Sequence, residues 1–418
     1  DAINDGFKNA LSSILDANIT TALVGIILLM FGTGPIQGFA TTLLIGLVTS
    51  VFTAVFITRL FIDRYANSEK RLTFSTFISK NLFKNFNFDF IGKRKIAYII
   101  SGVLLIVSLI SIFTNGFNLG VDFVGGRTYT VRFDKPVVAS EVQKSLVAVY
   151  GSAEAKTFGS ANQLKITTKY KIDEQSSETD DEVQEMLYEA VKAYLPTDLT
   201  YDAFTSADES KEVGIMQSLK VGPTIASNLK TAAYWSVLGS LIVMFLYILA
   251  RFKGWQFSLG ALVGLIHDSV IMLGAFSLLR NIMPFSMEVD QAFIAAILTA
   301  IGYSINDTVV VFDRIREYYI NNPSWTFLKK INDSLNSTIS RTINTSLTTL
   351  LVLVVMFVFG ADSLRGFIFA LIIGVVVGVY STLYIATPIM YDTAKKSGLK
   401  LKTIEDDGDP KSQVAPKK

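Results

Sequence analysis

The sequence predicts a polytopic α-helical membrane protein of about eight transmembrane helices, with one ferredoxin-like α+β domain set between two of them. Three observations carry that expectation. Half of the 418 residues are apolar and only 18% are charged, against about a quarter charged in an ordinary soluble domain. Apolar runs of the length needed to cross hydrocarbon, about 20 residues, recur at 17–33, 36–61, 96–114, 231–250, 257–279, 291–312, 341–359 and 364–390. One long polar stretch, 115–223, interrupts them with strand-like and helix-like patterns. A net charge of +2 offers no field for phosphate backbones, so no nucleic-acid partner is expected. The absence of cysteine excludes disulfides, thiolate metal sites and cysteine nucleophiles, and a single histidine argues against a His-based metal site. No metal or other cofactor is expected.

The division expected along the chain is two spans (1–63), a basic linker (64–95), a third span (96–114), the polar domain (115–223), a five-helix bundle (224–394) and a disordered tail (395–418). Asp1 to Lys8 reads as the middle of a polar helix, so the chain is expected to continue a longer protein. Small residues dot the spans, Gly260, Gly264 and Gly274 in one and Gly366, Gly374 and Gly378 in another. They let helices approach closely, which favours a packed bundle over independent anchors. Lys70, Arg71, Lys80, Lys84, Lys93, Arg94 and Lys95, then Arg251 and Lys253, then Arg314, Arg316, Lys329 and Lys330 all fall on one side once the spans are counted. The excess of Lys and Arg makes that side cytoplasmic and turns 115–223 outward, to the periplasm. Within the insert the pattern reads strand (127–133), helix (140–150), strand around Lys156, strand (163–170), helix (181–194) and a last strand near 199–204. That β-α-β-β-α-β order is the ferredoxin-like one.

An internal repeat organises the rest. Ser12 to Ile57 aligns without a gap onto Ser340 to Ile385, Thr20-Thr21 meeting Thr348-Thr349 and Ile45-Gly46 meeting Ile373-Gly374. The first two spans thus copy the last two in the same orientation, which predicts two halves related by an axis along the membrane normal. Counterparts of the spans at 96–312 would lie before Asp1. In this alignment Ser13 stands opposite Arg341 and Asp16 opposite Asn344, so the halves are not equivalent.

Four ionisable residues lie deep in the spans: His267, Asp268, Asp307 and Arg341. A charge in hydrocarbon costs about 2.5–3.5 kcal/mol even on lenient scales and marks function by default. Asp307 sits about 24 Å along its helix from Gln291, and Arg341 about 27 Å from Phe359, at 1.5 Å per residue, so the two reach one level on consecutive spans. Arginine stays protonated and cannot carry a proton. Asp307 can: burial penalises its charged form and a neighbouring guanidinium stabilises it. Protonation would release Arg341 and couple proton entry to helix movement. Ser304 and Asn306 flank Asp307, and Thr338, Ser340, Thr342, Asn344 and Thr345 surround Arg341 as a polar collar. The competing readings are a static pair, or an Arg341 that snorkels to the interface. His267 and Asp268 are neighbours on a helix and are expected to face different ways rather than pair. Glu288, Asp290, Asp313 and Arg314 read as anchors at span ends. The polar domain shows no nucleophile with a base, its carboxylates lie in solvated acidic runs, and no enzyme activity is expected. Gly125-Gly126 lacks the following Lys-Ser/Thr of a phosphate loop.

Asn118-Leu119-Gly120-Val121-Asp122-Phe123-Val124-Gly125-Gly126, then Val221-Gly222-Pro223, then the signature span within Ala296–Glu317 (AILTAIGYSINDTVVVFDRIRE) resemble SecF. Leu11 to Thr21 (LSSILDANITT) resembles the matching stretch of SecD. The order is similar to that of the SecD–SecF fusions, SecDF, of the resistance-nodulation-division superfamily, over nearly the whole chain apart from 64–92 and the tail. The resemblance implies a bacterial cytoplasmic-membrane accessory of protein export that draws on the proton-motive force. Its implied partners are the SecYEG translocon, a YajC-like small subunit, unfolded preprotein and membrane lipids. It also implies that Asp307 and Arg341 are the proton-coupling pair, with His267, Asp268, Ser304, Asn306 and Asn344 as supporting neighbours. A SecD-half aspartate and a large first periplasmic domain, which the family pairs with these, are not in this sequence. Two other classes stay open: a proton-coupled transporter of lipid or small molecules, and a scaffold whose intramembrane charges serve packing alone.

Overall fold

A computed structural model describes residues 2–33, 35–66, 86–174, 176–206, 211–283, 285–360 and 364–397. Among them, eight helices are long and apolar enough to cross a membrane. They are α1 (Ala2–Phe31), α2 (Ile36–Tyr65), α3 (Arg94–Asn115), α8 (Pro223–Phe252), α9 (Trp255–Leu279), α10 (Gln291–Asn321), α11 (Phe327–Phe359) and α12 (Arg365–Ser397). Between α3 and α8 lie α4 (Val121–Val124), β1 (Gly126–Arg132), α5 (Ala139–Tyr150), β2 (Ala153–Thr157), β3 (Gln163–Thr168), α6 (Ser177–Val191), α7 (Tyr201–Thr205) and β4 (Gly214–Val221). Most of the linker expected at 64–95 and the tail beyond 397 lie outside the described residues.

Helix α10 is the axis of the bundle. It packs against α1, α8, α9, α11 and α12, and its buried residues run on every face, from Phe293 to Ile315. A helix apolar all round belongs in the middle. Small residues bring its neighbours close. A Cβ at Gly374 would lie 2.5 Å from that of Ala300, and one at Gly378 would lie 2.9 Å from that of Ser304, so α12 rides directly on α10. Both repeats carry a π-turn near their ends, Thr53–Ile57 in α2 and Thr382–Ala386 in α12, within one residue of equivalence. At the opposite end of the bundle from the sheet, Asn332 and Asn336 of α11 accept the backbone N–H groups of Ile91 and Phe88 at 3.0 and 2.9 Å. Arg94 bonds Asp392 at 2.9 Å. The last residues of the basic linker are thus pinned rather than loose.

The four-stranded sheet has the order β2-β3-β1-β4, and every neighbouring pair is antiparallel. Period-two burial in β3 (Leu164, Ile166, Thr168) and period-four burial in α5 (Val142, Leu146, Tyr150) build one core with Phe133, Leu187 and Phe204. The β-α-β-β-α-β order is as the sequence indicates, with one correction: the last strand is Gly214–Val221, not 199–204. There the Thr200 side chain accepts the Ala203 N–H and caps α7 instead. Strand β4 lies at the sheet edge with Gln217 to Leu219 exposed, so its alternation is weak. The acidic run is also not wholly solvated. Asp180 bonds buried Arg127 and also Lys220, each at 2.6 Å. Burial works against its charge, but Lys220 and Arg127 outweigh that and hold the carboxyl below the usual carboxylate range.

Candidate functional site

The two charges that the helix rise puts at one level do meet. An Asp307 Oδ1 lies 4.0 Å from the Arg341 guanidinium, the aspartate side chain 6% exposed and the arginine 43%. At that distance they attract without a formed hydrogen bond. Arg341 reaches Asp307 from the rim of α11, while Asp307 stands in the packed interior of α10. Thr338, Thr342 and Ser346, spaced by four on α11, are all buried. The hydroxyl of Thr342 and the Oδ1 of Asn306 find no hydrogen-bond partner among the described residues. Asn344 and Thr345 are exposed on α11, as Arg341 itself is.

One turn along α10 the picture differs from expectation again. His267 and Asp268 pair after all, Nδ1 to Oδ1 at 3.0 Å. Helix geometry separates their Cβ directions, yet both side chains swing toward the same gap. The Asp268 carboxylate also accepts Ser304 at 2.7 Å and Ser381 at 2.8 Å, so α9, α10 and α12 converge on one buried group. The His267 ring lies over Tyr380, centroids 6.0 Å apart, and the Tyr380 hydroxyl reaches Ser101 of α3 at 3.0 Å. Thr308 meets Thr382, the first residue of the π-turn, at 2.8 Å. Ser304, Asp307 and Thr308 share one face of α10. Hydrogen bonds and one ring contact therefore link Ser101 through Tyr380, His267 and Asp268 to Ser304, and Asp307 with Arg341 lies one turn further along that face of α10. Sequence reading missed Tyr380, Ser381 and Thr382, whose only signal is a cluster of hydroxyls in an apolar span.

A third cluster joins three helices. Arg251 of α8 bonds Asp16 of α1 at 2.7 Å and Asp313 of α10 at 3.1 Å, and Tyr247 donates to Asp16 at 2.9 Å. Asp313 is therefore part of an ionic joint that ties α1 to α8 and α10, not an anchor facing the interface. Arg314 does stay at the surface, paired with Glu317 at 2.6 Å. Among the described residues no group of three or more His, Cys, Asp or Glu could hold a metal ion.

At the sheet end, the residues after α3 clamp the domain to the bundle. Leu119 bridges Val289 in parallel, Gly120 N–H donates to Val289 O at 3.0 Å, and Lys165 of β3 bonds Glu288 at 2.6 Å. Gly125 and Gly126 turn into β1 at φ +72° and +149°, backbone that side-chain-bearing residues resist. Asp122 accepts the Gln291 N–H at 3.1 Å, and Asp290, on the loop just before α10, caps that helix at Phe293 N–H, 2.8 Å. Burial, with Asp122 and Glu288 nearby and against the pull of Phe293 N–H and Lys165, pushes the Asp290 carboxyl up to about 6. A raised folded pKa favours the folded state when protonated, and that contribution is lost as pH rises through about 6. Asn at this position mimics the protonated form. Relative to Asp290→Asn, the native protein should gain melting temperature as pH falls from 7 to 5 and narrow its gap to the variant; parallel melting curves would contradict the assignment.

The family of protein-export membrane proteins SecD/SecF has a C-terminal model that matches residues 1–68 and 201–396. The SecD/SecF GG motif matches residues 110–137. The chain is similar to the protein translocase subunit SecF of Rhodothermus marinus, 42% identical over 313 residues that cover 74% of this chain and 94% of the relative. It is also similar to the protein translocase subunit SecDF of Bacillus subtilis, 32% identical over 93% of this chain and 51% of the relative. A crystal structure of SecDF from Thermus thermophilus, described as a translocon-associated membrane protein, superposes with a TM-score of 0.78 at 29% identity. It covers 94% of this chain and 50% of that one. The chain thus spans nearly all of the SecF relative and about half the length of the SecDF relatives.

Proposed function

The chain belongs to the SecD/SecF family of protein-export membrane proteins, and we propose that it serves as an accessory subunit of Sec export driven by the proton-motive force. Its membrane is the bacterial cytoplasmic one, with the 115–223 domain on the outer side and the basic loops inside, as the Lys and Arg distribution supports. Its partners are the SecYEG translocon, a YajC-like small subunit and the unfolded preprotein. Residues 1–63 act as the end of a SecD-like half and 96–394 as a SecF-like half.

The observation that carries this reading is a carboxylate enclosed in the central helix of a membrane bundle, opposed at 4.0 Å by a permanent cation on the next helix. Asp307 takes the proton and Arg341 answers it. With Asp307 charged, the attraction holds α10 and α11 together at this level. With Asp307 neutral, the guanidinium loses its counter-ion and swings to the exposed side of α11. Each proton crossing the membrane potential supplies about 2.3 kcal/mol per 100 mV, enough to bias such a switch. The partnerless Thr342 hydroxyl and Asn306 side-chain oxygen are groups that water satisfies, and they support a wetted route to Asp307. The Asp268 node stands one turn away through Ser304 and couples the same proton to α9 and the π-turn of α12. The domain moves with the helices through the Leu119–Val289 bridge and the Lys165–Glu288 pair.

Depletion of the protein should slow preprotein export in cells, and the portion lost should be the portion that a protonophore removes. A protonophore effect of undiminished size in depleted cells would exclude this protein as the point of proton coupling.

A further inference from the structure

A cavity of about 370 Å³ opens beside the sheet end of the bundle, between α8, α9, α10 and the segment after α3, a size that suits a ligand pocket. Phe117, Phe123, Val237, Leu241, Leu273 and Ile297 form its apolar walls. Two of its lining residues, Tyr234 and Leu238, are 69% and 46% exposed, so the cavity communicates with the membrane-facing side of α8. Its polar members are few. Ser269 is turned to its own helix, bonding Leu265 O at 2.8 Å. Lys230 stands at the mouth, exposed, and among the described residues it has no ion-pair or hydrogen-bond partner.

The position of Lys230 fixes what can sit there. It lies about 10 Å into α8 from Pro223 at 1.5 Å per residue, one helical turn before the exposed aromatics Tyr234 and Trp235. A band of lysine, tyrosine and tryptophan at a span end marks the headgroup level. Below it, Leu238, Ile242 and Leu246 face outward, as acyl-chain contacts do. An unpaired cation above an apolar cleft matches an amphiphile with an anionic head and a hydrocarbon tail. An extended peptide fits less well, because the walls offer its backbone N–H and C=O groups no partners, and each such group buried unpaired is costly.

We propose that this cleft is a binding site for one anionic phospholipid of the outer leaflet, its phosphate on Lys230 and an acyl chain between α8, α9 and α10. The lipid contacts the 117–123 segment that ties the domain to the bundle. The inference rests on the membrane reading and not on the proton pair, so Asp307→Asn should leave lipid retention unchanged.

The test uses the full protein in vesicles of phosphatidylglycerol and phosphatidylethanolamine with matched chains, purified in mild detergent, with the co-purifying lipid quantified by native mass spectrometry. The native protein should retain phosphatidylglycerol over phosphatidylethanolamine by about fivefold, the selectivity that one basic residue near the surface supplies. Lys230→Gln, an exposed change that leaves packing intact, should remove that preference. Val237→Trp, or Leu273→Trp where the first fails to fold, fills the cleft and should reduce retention of both lipids. An unchanged preference in Lys230→Gln, retention unaltered in the folded tryptophan variant, or a photo-crosslinker at position 237 that captures preprotein instead of lipid would each overturn the proposal.

Discussion

Replacing Asp307 by asparagine should reduce export of a reporter preprotein to the level of cells lacking the protein, with membrane insertion and melting temperature close to native. Asparagine keeps the shape and the neighbours of a side chain only 6% exposed, so packing around α10 survives. What disappears is the exchangeable proton and the negative charge. Arg341 tolerates that loss because 43% of its side chain is already exposed and its head can reach a polar surface. Arg341→Lys keeps a cation but not the planar fork, and should fall between native and Asp307→Asn. Export in pulse-labelled cells, with protein levels matched by immunoblot, separates a coupling defect from a folding defect. Native-level export by Asp307→Asn would leave the pair a packing device.

The largest stability effect should come from Arg251→Met. Methionine keeps the apolar stem but ends where the guanidinium begins, and it leaves Asp16 and Asp313, with side chains 9% and 20% exposed, without the shared guanidinium. Breaking a buried ion pair by deleting one partner costs about 3–5 kcal/mol, because the remaining charge stays uncompensated, and here two remain. The joint ties α1 to α8 and α10, so α1 should loosen first. Thermal unfolding in detergent, with proteolysis of the α1–α2 end as a second readout, measures both. Arg251→Met together with Asp16→Asn and Asp313→Asn should recover much of the loss; failure to recover would mean that Arg251 acts through packing rather than charge.

Much of this architecture is legible because its signals are local. Eight apolar runs, the glycines at close helix approaches and the β-α-β-β-α-β pattern all follow from neighbouring residues. The Asp307–Arg341 meeting could be anticipated because helix rise converts sequence position into depth. Other features were hidden for physical reasons. The last strand lies at the sheet edge, where Gln217 and Ser218 need not be buried, while Thr200 to Phe204 look extended by composition but are captured by a side-chain cap. His267 and Asp268 are adjacent in sequence and meet because Ser304 and Ser381 draw the carboxylate into one gap. The Asp16–Arg251–Asp313 joint brings together three helices distant in sequence. No spacing rule announces it, and only the packed bundle places them together.

Potential-driven proton flux in proteoliposomes holding the whole protein tests the central claim most directly. An imposed membrane potential should acidify or alkalinise the lumen, according to its sign, with native protein and fail to do so beyond the lipid leak with Asp307→Asn. Flux through the asparagine variant equal to that of the native protein would show that protons pass without this carboxylate, and the coupling mechanism built on it would be wrong.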